Sequence, residues 1–467
     1  MKVLLVNPPP LDRVPARIVT PPLGVLYLAA SLKARGIEAR VIDAEALGLG
    51  LERVVFEARQ MKPDLIGVTG MSPTVTASYQ ALSALRPEAG RLALGGAHAS
   101  AQGQSVFEDC PVELDFAVCG ESEEIFPKLV SRLAGGAELH ELDLPGVLVR
   151  GGSSAPPWPV VKDLDSLPFP DLSQVPLSRY RHPLFGSEPV TSIITSRGCP
   201  YRCIFCDKHV SGSRYRSRSP ENVLAEIEQI VFKSGVRSLI IYDDLFTLDP
   251  DRVSRICEGI LGRGLRIRWK CEGRVNRVDP DLLGLMKAAG CQMIAYGVET
   301  VTPRGLEFLR KDITPEQVRE AFALTREAGI QSLGYFMLGI PGETIEEERE
   351  TVRFAVSLGA DFAQFGVLSP FPGTELYELA REKGWLSEAP ARGPAERGSR
   401  RPVILDGYWT LDKLDRMVRE AHRRFYFRAG YLARRLLRVR SAGEFAAMLG
   451  QGIRLGWWWL RSAVKRR

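Results

Sequence analysis

The feature that most constrains this chain is a double alternation of short apolar runs with longer amphipathic ones, split by a proline-rich break. Residues 1–145 read as strand KVLLVN, helix LGVLYLAASLKARG stopping at Gly36, strand EARVIDA, a helix around ERVVFEARQMK, and strands DLIGVTG, RLALGG and DFAVCG. Short apolar runs separated by helices make a parallel sheet covered on both faces. The order suits a doubly wound α/β domain, whose ligands sit beyond the carboxyl ends of its strands. Residues 146–189 hold prolines at 156, 157, 159, 168, 170, 176, 183 and 189. Proline removes backbone donors and resists helix, so this stretch predicts an extended linker. From Val190 the alternation resumes with strands VTSIIT, RSLIIYDD, RIRWKCEG, MIAYGVE, SLGYFMLG and FAQFGVL. A helix after the first of these starts with Ser219 as N-cap and Pro220 at the first helical position. Six strand–helix units over 190–380 predict a partial (β/α)6 barrel, with function in the loops after the strands. Residues 381–467 read as a loop and a basic helical C-terminal region.

Three of the eight cysteines crowd into TSRGCPYRCIFCDKH, directly after the first barrel strand. In a reducing compartment such a cluster points to metal rather than to disulfides. The spacing of Cys199, Cys203 and Cys206 lets three thiolates hold three irons of a cubane and leaves the fourth iron open to a ligand. A zinc site with Asp207 or His209 as fourth ligand is the alternative, although zinc clusters usually pair two CxxC units and no second unit is present. Cys110, Cys119, Cys257, Cys271 and Cys291 are scattered and read as small buried apolar residues.

Spacing, position after strand one and the aromatic Phe205 together resemble the radical S-adenosylmethionine superfamily. The resemblance implies a [4Fe–4S] cluster on the three cysteines, S-adenosylmethionine on the open iron and Phe205 beside the adenine. It puts Asp243 and Asp244 of YDDLFT near the ammonium of S-adenosylmethionine. Neighbouring strand residues face opposite ways, so one of the two reaches the ligand; loop capping is the other reading of the pair. It also implies that Arg274 pairs with the carboxylate, that Glu299 makes a polar contact, and that the backbone at Met337, Leu338 and Gly339 runs along the adenine. Exposed salt bridges remain the plainer reading of Arg274 and Glu299.

The stretches NPPP…TPPLGVLYLAASL, GVTGMSPTVTAS, GGAHASAQGQ and CGESEEIFPKLV resemble the cobalamin-binding domain found ahead of many such barrels. This implies that Asn7 and Leu23 face the corrin and that Ser72 and Thr74 donate near the nucleotide loop. Gly95 and Gly96 would let backbone approach the dimethylbenzimidazole tail. Glu121 belongs to the same set, and His98 either lines the tail pocket or is a loop histidine. No Asp-x-His-x-x-Gly occurs in residues 1–145, so cobalamin would bind base-off without an axial histidine. The resemblance covers about residues 1–380 and takes in the anaerobic porphyrin-ester cyclase and the class B methyltransferases. It implies that S-adenosylmethionine is cleaved reductively to a 5′-deoxyadenosyl radical that activates a substrate C–H bond for C-methylation or ring closure. The alternatives are a radical enzyme with an empty N-terminal domain, and a membrane-associated iron–sulfur electron carrier.

The net charge of +6 is uneven: Lys413–Arg467 holds 15 Lys/Arg against 3 Asp/Glu, leaving residues 1–412 net negative. Basic residues interleaved with Phe425, Tyr426, Phe427 and Tyr431 suit a helical cap over the barrel. Trp457–Trp459 beside arginines suit an anionic bilayer surface equally well. No signal peptide is evident, and no run reaches the ~18 apolar residues of a membrane span. The expected setting is cytoplasmic, with peripheral contact at the inner face of the membrane. Expected partners are a small, hydrophobic substrate and a reductant such as flavodoxin or ferredoxin, with no nucleic acid.

Overall fold

The computed structural model describes residues 1–11, 19–141, 143–152, 154–390 and 400–437. The first alternation folds into six strands, β1 (Lys2–Asn7), β2 (Glu38–Asp43), β3 (Leu65–Thr69), β4 (Arg91–Gly95), β5 (Phe116–Val118) and β6 (Val147–Leu148). Their order is β2-β1-β3-β4-β5-β6, parallel throughout except for β6 against β5. The four central residues of β1 are buried because helices cover both faces of the sheet. The chain reverses direction across the sheet at β1, so the carboxyl ends of β1, β3 and β4 form the crest where a doubly wound fold takes its ligand.

The second alternation gives β7 (Val190–Ile193), a short hairpin of β8 (Ser196–Arg197) and β9 (Arg216–Ser217), then β10 (Ser238–Ile241), β11 (Arg268–Gly273), β12 (Cys291–Glu299), β13 (Gln331–Leu338) and β14 (Phe362–Val367). Six of these pair in parallel in the order β14-β13-β12-β11-β10-β7, with the β8–β9 hairpin standing apart above β7. This is the six-unit partial barrel that the sequence pattern predicts. Ser219 caps the helix Pro220–Gln229 by accepting from the Asn222 amide at 3.2 Å. An antiparallel pair, β15 (Leu386–Pro390) and β16 (Arg400–Ile404), follows the barrel.

The proline-rich stretch is packed rather than strung between two bodies. It contributes β6, and it buries Trp158 against one face of the first sheet, with the indole Nε1 donating to the Ser100 carbonyl at 2.6 Å. Tyr180 and Phe185 fill the opposite face and share one apolar core with Val190 and Ile240 of the barrel. Proline excluded helix, as expected, but the aromatic residues between the prolines supply enough apolar area to anchor the chain on both sheets.

The helix Leu411–Tyr426 lies over β13 and β14, burying Leu414, Met417, Ala421 and Phe425. The Tyr426 hydroxyl donates to the Ala363 carbonyl at 2.7 Å and accepts from the Ala363 amide at 3.1 Å, on the outermost barrel strand. Trp409 is fully buried and donates to the Ile340 carbonyl at 3.1 Å. Gly339 has φ 82° and a Cβ there would come within 2.3 Å of Leu414 Cδ2, so glycine lets this helix close on the strand end. The stretch around Trp457–Trp459 lies outside the described residues. Among the described residues no helix is long and apolar enough to cross a membrane.

Candidate functional site

The three cysteines lie on the loop joining β8 to β9, above the carboxyl end of β7. Cys199 and Cys203 are half-buried; Cys206 reaches the surface, but protein surrounds its thiol. Burial raises the Cys199 thiol, and burial together with the neighbouring cysteines pushes Cys206 up to about 11. A cationic metal would supply the charge that draws off these protons. Asp207 binds His209, accepting from its backbone amide at 2.9 Å and meeting its Nδ1 at 2.8 Å. Among the described residues no three His, Cys, Asp or Glu side chains converge to hold a single ion. Three neighbouring thiols without a tight single-ion cage fit a cubane, whose irons occupy separate corners.

The two aspartates after β10 separate into different roles. Asp243 is buried and accepts from the Thr195 amide at 2.6 Å, the Thr195 hydroxyl at 2.5 Å and the Ser196 hydroxyl at 2.6 Å. It ties the base of the cysteine loop to β10 and leaves little for a ligand. Asp244 is the one turned to the loop's open side. It accepts from the Gly198 amide at 2.8 Å, and its carboxyl is raised chiefly by burial.

Phe205 and Met337 each pack against the apolar cluster that holds Ile204, Leu309 and Ile340. Lys311 Nζ stands 5.9 Å from the Phe205 ring centroid and donates to Glu299 Oε1 at 2.9 Å, with both charged groups buried. Glu299 adopts φ 68° at a register shift between β12 and β13, a left-handed conformation uncommon for a glutamate. The pair is therefore a buried one, contrary to the exposed alternative. Arg274 is buried as well. Its guanidinium stacks 3.5 Å from the Tyr201 ring centroid and donates to Asn276 Oδ1 at 3.0 Å and to the Lys311 and Asp312 carbonyls at 3.1 and 2.6 Å. It braces the cysteine loop against the turn between the helices Pro303–Leu309 and Pro315–Glu327 instead of standing free to grip a carboxylate. At the end of β13 the backbone of Met337, Leu338 and Gly339 is shaped by Glu348, whose buried carboxylate accepts from the Gly339 amide and from the Ile340 amide at 3.3 Å.

On the first sheet, Asn7, Ser72, Thr74, Gly95, Gly96 and His98 gather at one crest. Asn7 donates to Asp43 Oδ1 at 2.8 Å, and Asp43 also accepts from the Tyr180 hydroxyl at 2.6 Å. Leu23 opens the helix Leu23–Lys33 and is buried. Thr74 ends the 3-10 turn Ser72–Thr74, its hydroxyl 3.4 Å from the Met71 carbonyl. His98 is buried between the Ser72 hydroxyl at 3.1 Å from Nδ1 and the Tyr79 hydroxyl at 3.1 Å from Nε2, and burial holds its imidazole down to about 4. Both ring nitrogens are thus taken up, which fits a corrinoid held without a protein axial ligand. Gly96 has φ 96°, and a Cβ there would meet the Gly70 carbonyl and Thr69 Oγ1 at 2.8 Å. Only glycine lets β3 and β4 present backbone so closely together. The crest offers backbone and hydroxyls, which suit a nucleotide tail, and its Asp43 carboxylate is tied up by Asn7 and Tyr180.

Glu121 is a correction. It does not face this crest but lies at the seam with the barrel, accepting from Arg216 Nη1 and Nη2 at 2.7 Å each and from the Val161 amide at 2.6 Å. Sequence pattern does not single out Lys311, Arg197, Arg216, Glu123 or the linked Lys270, Glu272 and Tyr335, of which Lys270 is buried and the other two half-buried. Charged residues in the TSRG and CGESEE motifs were the available signal for some of them.

A doubly wound, ligand-accepting sheet ahead of a six-unit barrel with three cysteines at its mouth defines a two-cofactor iron–sulfur enzyme of the α/β class. Residues 193–355 match the radical SAM superfamily and residues 14–130 the B12 binding domain. An uncharacterized methyltransferase of Pyrococcus horikoshii is 32% identical over 92% of this chain and 93% of its own. The anaerobic magnesium-protoporphyrin IX monomethyl ester cyclase of Cereibacter sphaeroides is 31% identical over 78% of this chain, which spans only 61% of that longer protein. Among solved structures, the radical S-adenosylmethionine methyltransferase TsrM of Kitasatospora setae, with cobalamin and a [4Fe-4S] cluster bound, aligns with TM-score 0.72 at 22% identity over 89% of this chain and 90% of its own. This chain belongs to the radical S-adenosylmethionine enzymes that carry a B12-binding domain. Its cofactors are a [4Fe–4S] cluster, S-adenosylmethionine and cobalamin.

Proposed function

We propose that this enzyme methylates an unactivated carbon of a small molecule in preference to closing a ring. The observation that carries this reading is the match to methyltransferases along nearly the whole chain. The chain spans 93% of the P. horikoshii methyltransferase and 90% of the cytidylyl-2-hydroxyethylphosphonate methyltransferase of Streptomyces wedmorensis, against 61–78% of three magnesium-protoporphyrin cyclases. When bound, the cluster supplies the electron that splits S-adenosylmethionine into methionine and a 5′-deoxyadenosyl radical, and cobalamin supplies a methyl carrier. The chain's own residues hold and orient. Cys199, Cys203 and Cys206 ligate the cluster, and Asp244 receives the ammonium of S-adenosylmethionine. Phe205 lies beside the adenine, whose edge meets the backbone of Met337–Gly339. The Glu299–Lys311 pair supplies fixed charge next to that ring.

The crest of Asn7, Ser72, Thr74, Gly95, Gly96 and His98 takes the corrinoid. A reductant such as flavodoxin or ferredoxin delivers the electron. If the tail near Trp457–Trp459 touches lipid, a hydrophobic substrate such as a polycyclic lipid or porphyrin follows, and liposome flotation with residues 438–467 deleted tests that contact.

The decisive experiment is anaerobic purification with cobalamin supplied, followed by corrinoid, iron and 5′-deoxyadenosine assays. Stoichiometric corrinoid with reductive release of 5′-deoxyadenosine is the expected result. Release of 5′-deoxyadenosine without retained corrinoid would leave a radical enzyme with an empty first domain. No release under strong reduction would leave an electron carrier.

A further inference from the structure

We propose that Glu121 is a positioning residue that makes the pose of the cysteine loop depend on the docking of the first sheet. The inference rests on the iron–sulfur reading of that loop. β8 and β9 are the two feet of the loop, and Arg197 pairs directly with Arg216 across them. Both arginines turn to the same carboxylate. Arg216 grips Glu121 through two hydrogen bonds, and Arg197 Nη1 stands 3.6 Å from Glu121 Oε2. Glu123 adds a second anchor, accepting from Arg197 Nη2 at 2.7 Å. The Tyr27 ring, on the helix Leu23–Lys33, lies 5.3 Å from the Arg197 guanidinium. The Val161 amide and carbonyl join the same knot through Glu121 and Arg216.

The Glu121 side chain is 2% exposed and those of both arginines 9%. At that depth an unmatched charge is expensive, so the three groups hold one another in register, and salt screens them little. A bidentate arginine fork also fixes direction, which an apolar contact would not. Only Gly198 separates Arg197 from Cys199, and the Gly198 amide is itself held by Asp244. The charge knot therefore reaches within two residues of the first cluster ligand. It also reaches the loop carrying the residue placed at the ammonium of S-adenosylmethionine. A displacement of the first sheet would move both feet of the loop together. The distance between the corrinoid crest and the cluster is thereby built as one mechanical unit, although the two cofactor sites lie on different sheets.

The test compares Glu121→Gln and Glu121→Asp with Glu88→Gln, which breaks the exposed Arg59–Glu88 pair far from the loop. Each is reconstituted anaerobically. Iron and sulfide content, the electron paramagnetic resonance signal of the reduced cluster with and without S-adenosylmethionine, and the rate of 5′-deoxyadenosine release are then measured. The chain without cluster is probed with trypsin at Arg202 and Arg214. The expected result for Glu121→Gln is a cluster whose signal no longer shifts uniformly with S-adenosylmethionine. Release should slow by about 100-fold, the cost of an ångström-scale misplacement, and the loop should be cut faster. Glu121→Asp should recover part of the signal change, and Glu88→Gln should match the parent.

Loss of the cluster from Glu121→Gln with normal melting of the rest of the chain also supports the proposal. A parental signal and rate in Glu121→Gln would overturn it, and so would global unfolding of that variant, since Glu121 would then serve the whole fold. If no form of the chain, the parent included, assembles a cluster, the iron–sulfur reading fails instead, and the proposal falls with it.

Discussion

The crest of the first sheet and the cysteine loop of the barrel both serve as cofactor platforms, yet they are held by opposite means. The crest is satisfied from within its own unit: Asn7 by Asp43, His98 by Ser72 and Tyr79, and Gly96 by close contact with the Gly70 carbonyl. It carries no ion pair among these groups and offers mainly backbone and hydroxyls. The cysteine loop is held from outside itself, by Asp243 and Asp244 after β10, by Arg274 after β11 and by Glu121 and Glu123 of the first sheet. A platform that recognises a large nucleotide tail can be prebuilt from backbone and hydroxyls. A loop that must present three thiolates to a metal cluster has few backbone partners to spare and borrows its rigidity from buried charge.

Four experiments would break or sharpen that contrast. The largest effect is expected from Cys203→Ala, which should abolish cluster retention and 5′-deoxyadenosine release while leaving corrinoid binding intact, as iron, sulfide and corrinoid assays on one preparation would reveal. Loss of corrinoid as well would mean that the two platforms do not stand apart. Next comes Gly96→Ala. Its left-handed backbone and the 2.8 Å approach to Gly70 and Thr69 should cost about 1–3 kcal/mol and reduce corrinoid retention with the cluster preserved. Thermal melting and visible absorbance read both.

Asp244→Asn should retain the fold and weaken S-adenosylmethionine binding about tenfold, the equivalent of ~1.4 kcal/mol for a lost charge-assisted contact. Asp243→Asn should loosen the loop itself, because three donors would then face an amide. Equal effects on S-adenosylmethionine affinity from both would erase the distinction drawn between them.

The smallest effect concerns His98. Burial lowers its imidazole from 6.5 to about 4, so the unfolded chain takes a proton in that window and the folded chain does not. Its contribution is complete above 6.5 and falls as pH drops toward 4, by at most about 1.4 kcal/mol per pH unit. His98→Gln should flatten the fall of Tm between pH 7 and 4.5. A residual slope is expected from His182, which burial depresses in the same direction. An unchanged slope would show that the crest is wetter than its contacts imply.

Much of the architecture was legible in the chain. Strand–helix alternation located both sheets, because an apolar run buried on two faces leaves an unmistakable pattern. The cysteine spacing located the cluster loop, and Ser219–Pro220 marked a helix start within a residue. The proline-rich stretch was read correctly as non-helical, but its packing was missed. Trp158, Tyr180 and Phe185 are isolated aromatics without periodicity, and only their contacts reveal an anchor. That Glu121 binds Arg216 and the Val161 amide was not legible, because motif proximity says nothing about side-chain direction. The Lys311 and Asp312 carbonyls that occupy Arg274 lie 37 and 38 positions away, beyond the reach of any local motif.

The chain alone determined which chemistry is available: three thiols at cubane spacing, glycines where backbone must approach a ligand, and two sheets in series. Those are local properties, written in residue type and period. Tertiary structure decided which of two adjacent aspartates faces the ligand side, which arginines brace the loop and which glutamate binds the sheets together. Each of those outcomes depends on partners from 37 to 95 positions away, and pairing across such distances is set by packing, which no short stretch of sequence contains.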